Sequence, residues 1–457
     1  MQNFIPKEVL KIYKKIEDSG RKVYFVGGCV RDIFLQRATK DWDMATSATP
    51  EEILKLFKEG FYDNKFGTVG IPIKPNNQLA DKEKEIIEIT TFRTEHGYAD
   101  KRHPKIVKWG KTIEEDLSRR DFTINAIAVM FDKEKTIIID PFGGQKDIDK
   151  KIIRAVGNPK ERFKEDALRL IRAVRLATEL SFNVEEDTLN EIKNDSNLIK
   201  EISFERIRDE LIKILASDSS YEGIMLLKEC GLLGYIIPEI LEGVDVSQER
   251  PGRHHTTDVF THNVLSLKFC PSKDPVVKFA ALIHDIGKPQ VATKDEKGYV
   301  VFHNHELSGT KIAYEICKRL RFSKKVRERI INLIRWHMFT VDEKITDAAI
   351  RRFIRKVGIE NVKDIIDLRI GDRLGGGTQT AESWRLKLFK KRIEEQLKPK
   401  PFSIDDMVID GNDVMKILKI EPSKKVGEIL QKLFEEVDED LSKNNKKYLL
   451  KRVQKLS

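Results

Sequence analysis

The spacing of apolar positions changes near residue 150. Before it, β-branched runs bounded by turns alternate with short helical stretches. Strands are expected at 23–26, 41–45, 68–73, 85–91 and 124–130, with 136–140 closing the region. After it, apolar residues recur with helical spacing almost throughout. Ala167, Leu168, Ile171, Val174 and Leu176 predict a helix over 165–180, and 204–215 predicts another, with Ser203 at its N-cap. Residues 1–20 read as a short amphipathic helix ended by Gly20, without the apolar core of a signal peptide. Breaks are expected at 242–252, which includes Pro251-Gly252, and at 375–377. The basic, proline-containing stretch 397–402 reads as a linker into a last helical segment. No apolar run reaches membrane-spanning length. The pattern predicts an α+β fold: a small mixed sheet with helices, followed by a mostly helical remainder.

Composition adds a partner and a compartment. A chain of 457 residues is too long for one core, and roughly three or four domains are expected. Lys plus Arg number 84 against 74 acidic residues, for a net charge of +10 and a pI near 9.1. This excess favours nucleic acid or another polyanion as partner. With 35% charged and 40% hydrophobic residues, the balance is globular rather than disordered. Cys29, Cys230, Cys270 and Cys317 form no CxxC pair, which speaks against a zinc ribbon or a disulfide framework. A reducing, cytoplasmic setting is expected.

Candidate chemistry begins at Val26-Gly27-Gly28-Cys29-Val30-Arg31-Asp32, after the first strand, and at Asp41-Trp42-Asp43. Glycines let backbone N–H groups approach a phosphate without a Cβ in the way. Two carboxylates at alternate strand positions point the same way, as Mg²⁺ requires when water and phosphate oxygens supply its other ligands. Together they argue for nucleotidyl transfer by in-line attack on an α-phosphate. Glu88, on a strand able to lie beside Asp41 and Asp43, either completes the metal site or acts as base for an attacking hydroxyl. An ordinary exposed strand glutamate is the alternative.

Arg119-Arg120 suits a polyphosphate through forked guanidinium pairing, with a salt-bridged cap as the alternative. Asn125, amid apolar residues, requires hydrogen-bond partners or a ligand. Asp166, Arg169, Arg172 and Arg175 recur every third residue, which on a helix makes one drifting polar stripe. An Asp and an Arg offer an acceptor and donors that mimic a base's pairing partner, although a surface salt bridge is the commoner use of such a pair. Seven of the nine histidines fall between His254 and His337. His262, His284, Asp285, His305, His337 and Asp372 are candidate ligands for a divalent metal of the Mn, Fe, Ni or Mg type, able to assist phosphoester hydrolysis.

The stretches Gly27–Asp32, Lys40–Thr46, Arg119–Ala126, Glu165–Arg169 and the helix start Ser203-x-Glu205-Arg206-Ile207 resemble, in order and spacing, the successive motifs of the class II tRNA nucleotidyltransferase and bacterial poly(A) polymerase family. The resemblance is strongest over residues 1–240. The histidine cluster resembles the HD phosphohydrolase domain that some members carry, and 411–449 is similar to the family's helical tail. The resemblance implies a nucleotidyltransferase head over 1–150, a helical neck over 151–242, an HD domain over 243–380 and a tail over 381–457, with neck and tail binding tRNA. It implies Mg²⁺ on Asp41 and Asp43, nucleotide contacts from Gly28, Arg31 and Arg120, base pairing by Asp166 and Arg169, and support from Arg172 and Arg175.

The reaction implied is transfer of CMP, CMP and AMP from CTP and ATP to the 3′ end of tRNA, with pyrophosphate released. Arg93–Pro104 resembles the loop found in members that add all three nucleotides. A-only addition, poly(A) synthesis and a mainly hydrolytic HD enzyme stay open as alternatives, as do monomer and homodimer. A second divalent metal, Ni, Mn or Mg, is implied for the HD cluster. The lysines at 424–425 and 443–451 suit phosphate contacts, or simply a solvated helix face.

Overall fold

The computed structural model describes residues 1, 4–39, 41–62, 67–73, 85–98, 104–132, 135–248, 257–339, 341–342, 344–397 and 403–456. It divides into two compact units. One comprises 1–242 with 315–323, and the other 243–314 with 324–457.

In the first unit the apolar run Val23–Val26 (β1) is buried along its whole length, as expected of a strand inside a sheet. Around it lie β2 (Asp43–Thr46), β3 (Phe61–Tyr62), β4 (Thr68–Ile73), β5 (Glu85–Thr91), the hairpin β6 (Arg93–Tyr98) and β7 (Pro104–Trp109), β8 (Ala128–Asp132) and β9 (Lys135–Ile139). Seven strands form one mixed sheet in the order β3-β4-β5-β2-β1-β8-β9. All its pairs are antiparallel except β2 with β5. The helix Lys7–Asp18 buries Val9, Ile12, Tyr13 and Ile16, one stripe at helical spacing. Tyr13 stacks on Phe25 at 5.1 Å, and its hydroxyl accepts a 2.9 Å bond from the Phe131 amide. The expected stop at Gly20 is present, at φ +79°.

Three expectations shift. The strand expected at 41–45 starts at Asp43, and Asp41 lies exposed before it. The reason is local: β1 ends at Val26, where the glycine pair turns the chain away, leaving no neighbour on that side for Asp41. The strand expected at 124–130 begins only at Ala128, because Thr123–Asn125 forms a 3₁₀ turn. There the Thr123 hydroxyl donates to Asp147 at 2.7 Å and Asn125 donates to Asp121, so polar side chains take the chain out of the ladder. The helix expected over 165–180 is broken. One helix ends at Glu165, Asp166 is extended at φ −141°, and the next runs Leu168–Leu180. The Asp166 carboxylate accepts from the Leu168 amide at 3.0 Å, so it starts the second helix instead of continuing the first. Ser203 does occupy the N-cap position of Phe204–Ala216, without a side-chain capping bond.

The second unit is helical, with Val259–Phe269, Pro275–Ile283, Lys324–Trp336, Asp347–Val357, Val362–Gly375 and Trp384–Leu397 as its main elements up to residue 397. Val259–Phe269 packs tightly against Val362–Gly375. A Cβ on Gly371 would lie 2.5 Å from the Ser266 carbonyl, and one on Gly375 would lie 2.7 Å from the Ser266 amide. A separate apolar cluster, including Val414, Leu433, Val437, Leu449 and Val453, organises the helices after residue 403. Among the described residues no helix is long and apolar enough to cross a membrane. Pro251-Gly252 and most of the 397–402 stretch lie outside the described residues, as do His254 and His255.

Candidate active site and candidate metal centre

In the first unit the parallel register of β2 with β5 sets Asp43 opposite Glu88. The Glu88 amide also donates to the Trp42 carbonyl at 3.2 Å, which ties the segment after Asp41 to β5. Asp43 thus has Glu88 beside it and Asp41 two residues before it. Burial pushes its carboxyl up to about 6; Arg120 pulls against this, while Glu88 and Asp41 add to the rise. Asp43, with the Glu88 and Asp41 carboxylates adding to its rise, is short of positive charge, and an oxygen-ligand cation such as Mg²⁺ fits that deficit.

Gly27 closes the other side. It sits at φ +77°, and a Cβ there would meet Arg120 Nη1 at 2.9 Å and Asp43 Oδ2 at 3.2 Å. Only glycine permits both that backbone and that approach. Arg120 is oriented by the buried Asp116, which also takes Arg119 at 2.7 Å. Asp116 stays below the usual carboxylate range despite its burial, because the two arginines outweigh desolvation.

A hydrogen-bonded chain connects this corner to the helix Leu168–Leu180. Arg31 Nη1 donates to Asn125 Oδ1 at 2.9 Å, Asn125 Nδ2 donates to Asp121 Oδ1 at 3.2 Å, and Arg172 donates to Asp121 Oδ2 at 2.6 Å. Burial would raise the Asp121 carboxyl, but Arg172 and Arg169 hold it well below the usual range. Asn125 is therefore buried and bonded, as its setting required. Arg169 donates to Glu165 at 2.7 Å and to the Arg119 carbonyl at 2.9 Å, and Asp166 accepts from Arg206 at 3.0 Å. Gly28, Arg31, Arg120, Arg169 and Arg172 thus belong to one connected region. Arg175 does not join that chain. It pairs with Glu210 at 2.6 Å and Glu179 at 2.9 Å, pinning its helix to Phe204–Ala216.

The motifs singled out neither Asp116 nor Glu165 as orienting groups, although each stands three or four residues from its arginines, a spacing that could have signalled the pairs; they gave Asp121 no role, and it shows itself only through the distant Arg172. The strands of 93–104 form the β6–β7 hairpin, while 99–103 lie outside the described residues.

In the second unit all six expected ligands converge. His262 Nε2 lies 3.2 Å from His284 Nε2, 3.2 Å from Asp285 Oδ2 and 3.3 Å from Asp372 Oδ1. Asp285 Oδ1 lies 3.2 Å from His305 Nε2 and 3.5 Å from His337 Nε2. Two triads, His262/His284/Asp372 and His284/Asp285/His337, each hold their donor atoms within 4.8 Å of one another. The Nδ1 atoms of His284, His305 and His337 each face the carbonyl three residues earlier, at 2.7–2.9 Å. A carbonyl only accepts, so Nδ1 carries the proton and a neutral ring turns its Nε2 lone pair to the cluster. That arrangement fits a divalent metal.

With no cation in the cluster, burial would lower His284 but Asp285 and Asp372 raise it to about 10, so a metal there would take the place of its Nε2 proton. Burial lowers His337. Lys288 was not foreseen. It is buried and reaches Asp285 Oδ2 at 2.5 Å, and its signal was a lysine three residues beyond Asp285.

Comparison with known proteins agrees with this layout. Residues 23–154 match the family model of the poly(A) polymerase head domain, 181–243 match that of the RNA and SrmB-binding site of polymerase A, and 292–453 match that of tRNA nucleotidyltransferase domain 2. The chain is 42% identical over 230 residues to a CCA-adding enzyme of Geobacillus kaustophilus and 45% identical over 229 residues to one of Ligilactobacillus salivarius. Each alignment covers 50% of this chain and 54% of the relative, so the chain spans about half the length of the curated relatives it matches. Its fold is similar to the crystal structure of the Bacillus stearothermophilus CCA-adding enzyme in complex with CTP, with a TM-score of 0.67 and 26% identity over 98% of this chain and 96% of that one. Fold and site together define a nucleotidyltransferase-type head followed by a helical body. The chain belongs to the class II tRNA nucleotidyltransferase and bacterial poly(A) polymerase family.

Proposed function

We propose that the chain adds CMP, CMP and AMP, taken from CTP and ATP, to the 3′ end of tRNA and releases pyrophosphate. The observation that carries this reading is the register pair Asp43 and Glu88 beside the positive-φ Gly27 and Arg120. Asp41 and Asp43 would hold Mg²⁺, with Glu88 as third carboxylate. A divalent cation there stabilises charge on the attacking and leaving oxygens. Arg120 and Arg31 supply forked donors to the triphosphate, and Gly28 leaves room for its approach. Asp166 offers an acceptor and Arg169 donors to the edge of a base, oriented by Arg206 and Glu165. Protein side chains then choose the nucleotide without a nucleic-acid template. Arg172 acts through Asp121 and Asn125 to steady Arg31, whereas Arg175 secures the helix that presents them.

The head is read as 1–150, the neck as 151–242, the HD domain as 243–380 and the tail as 381–457. For the second unit we infer metal-dependent phosphoester hydrolysis as a second activity, favoured by the convergence of His262, His284, Asp285, His305, His337 and Asp372. Ni²⁺ or Mn²⁺ suits that imidazole and carboxylate set.

Primer extension tests the first reading. Transcripts of tRNA that lack CCA, end in C, or end in CC are each supplied with CTP or ATP alone. CTP should extend the first two and ATP the third. Failure to incorporate CTP on any of them would leave an A-adding or poly(A)-synthesising enzyme.

A further inference from the structure

One row of residues crosses the head sheet from Asp43 to the sheet's edge strand. The register sets Asp43 opposite Glu88, Glu88 opposite Gly70, and Gly70 opposite Phe61. Residues directly opposite one another point to the same face, so Asp43, Glu88 and Phe61 share a face across β2, β5, β4 and β3. Gly70 adds no side chain to that face, and the Phe61 ring takes the space. A Cβ on Gly70 would lie 2.6 Å from Phe61 Cζ and 3.1 Å from Ile86 Cγ2. The ring therefore lies across β4, with its tip towards β5 and beside Ile86. Ile86 stands two residues before Glu88 and so on the same face. Phe61 is 41% exposed and Ile86 48%, whereas Val69, Ile71, Ile87 and Ile89, on the other face of β4 and β5, are buried. The apolar core of these strands is thus on one face, and an apolar floor lies open beside Glu88 on the other.

The transfer proposed above says what approaches this floor. Gly28 follows β1, Arg120 lies against Gly27, and Arg31 bonds Asn125 just before β8. The triphosphate-binding groups are therefore on the β1 side of Asp43, and β5 is on the other. In-line transfer sets the attacking oxygen opposite the leaving one. With pyrophosphate leaving on the β1 side, the attacking hydroxyl enters over Glu88. The nucleoside that carries it then extends over β4 and β3, onto Phe61, whose strand lies about 10 Å from that of Glu88.

We propose that Phe61, lying on Gly70 and flanked by Ile86, is the platform for the 3′-terminal nucleoside of the acceptor RNA, whose base stacks on the exposed ring. The inference rests on the nucleotidyl-transfer reading of the head and adds where the acceptor end lies. Stacking on an aromatic ring accepts every base. That suits an acceptor whose last base changes as nucleotides are added. A ring laid over a glycine of the neighbouring strand also steadies an edge strand, so the experiment separates binding from stability.

CMP addition by the full chain is measured at steady state on two tRNA transcripts that lack CCA, one intact and one with an abasic last nucleoside. The native protein is compared with Phe61→Ala, Phe61→Trp and Ile86→Ala, and each is melted thermally. Phe61→Ala should raise KM for the intact RNA about tenfold and leave KM for CTP within about twofold. Phe61→Trp should keep the native RNA KM, and Ile86→Ala should raise it less than Phe61→Ala does. The abasic RNA should show the same rise with the native protein, and Phe61→Ala should then add nothing, because the ring's partner is already gone. A lower melting temperature in Phe61→Ala with both KM values unchanged makes the ring a brace for β3 and overturns the proposal. A full further rise on the abasic RNA overturns it too. So does a change from dimer to monomer in sedimentation with the RNA KM unchanged, which assigns the face to a second copy of the chain. If AMP alone is added, the three-nucleotide reading falls and the same comparison is read with ATP and RNA ending in CC. If the native chain adds no nucleotide, the transfer reading falls and takes the platform with it.

Discussion

At the scale of single residues, the head site turns on a carboxyl whose charge is contested. Asp43 is pushed up to about 6 by burial, with Glu88 and Asp41 adding to the rise. A cation binds the ionised form, so its affinity must fall where Asp43 takes up a proton. Mg²⁺ affinity should therefore weaken as pH drops from 7 through about 6, and level off above it. Glu88→Gln removes one of the charges raising Asp43, so the midpoint of that curve should move towards the ordinary carboxylate value. Calorimetric titration of Mg²⁺ between pH 5 and 7.5 reads both effects, and a flat profile would mean that Asp43 is not a ligand. The same experiment bears on Glu88 itself. If the glutamine variant binds Mg²⁺ normally at pH 7.5 yet incorporates CMP slowly, Glu88 serves the hydroxyl rather than the metal.

At the scale of elements, the histidine centre depends on how closely two helices pack. Gly371 and Gly375 let Val362–Gly375 press against Ser266 on Val259–Phe269, and this brings Asp372 within 3.3 Å of His262. In Gly375→Ala the added Cβ would face the backbone of Ser266, which cannot rotate aside. Overpacking of this kind costs about 1–3 kcal/mol. The variant should lose several degrees of thermal stability and bind Mn²⁺ or Ni²⁺ about tenfold more weakly. Chelator competition measures the second effect, and unchanged metal affinity would show that helix spacing does not set the ligand geometry. Much of this was legible beforehand. The helical period, the stop at Gly20 and four of the six strands expected in the head lie where apolar spacing put them, while β3 and the β6–β7 hairpin were not expected. Two of the three shifted elements are those where a polar side chain bonds its own backbone or a distant partner: Asp166 capping Leu168, and Thr123 and Asn125 drawn out of the expected strand; the third, the strand that starts at Asp43, follows from the glycine pair that ends β1. Apolar periodicity carries no information about such bonds.

At the scale of the whole molecule, the two candidate centres lie in different compact units. His284→Ala with Asp285→Ala should therefore abolish metal-dependent hydrolysis of 2′,3′-cyclic nucleotides and leave CMP and AMP incorporation within about twofold of normal. Asp41→Ala should do the reverse while leaving tRNA binding largely intact. Loss of both activities in either variant would refute separate sites. The residue types and their spacing were enough to name a nucleotidyltransferase-type head and the six side chains that converge in the second unit. Motif chemistry is local, and the ligands of one metal must be drawn from a short menu of side chains. Tertiary structure alone decided that Glu88 stands opposite Asp43, that Arg172 reaches Arg31 through Asp121 and Asn125, that Arg175 braces a helix, and that Lys288 enters the histidine centre. Each of these depends on strand register or on which helix faces which, and those are set by the packing of the entire core rather than by any window of sequence.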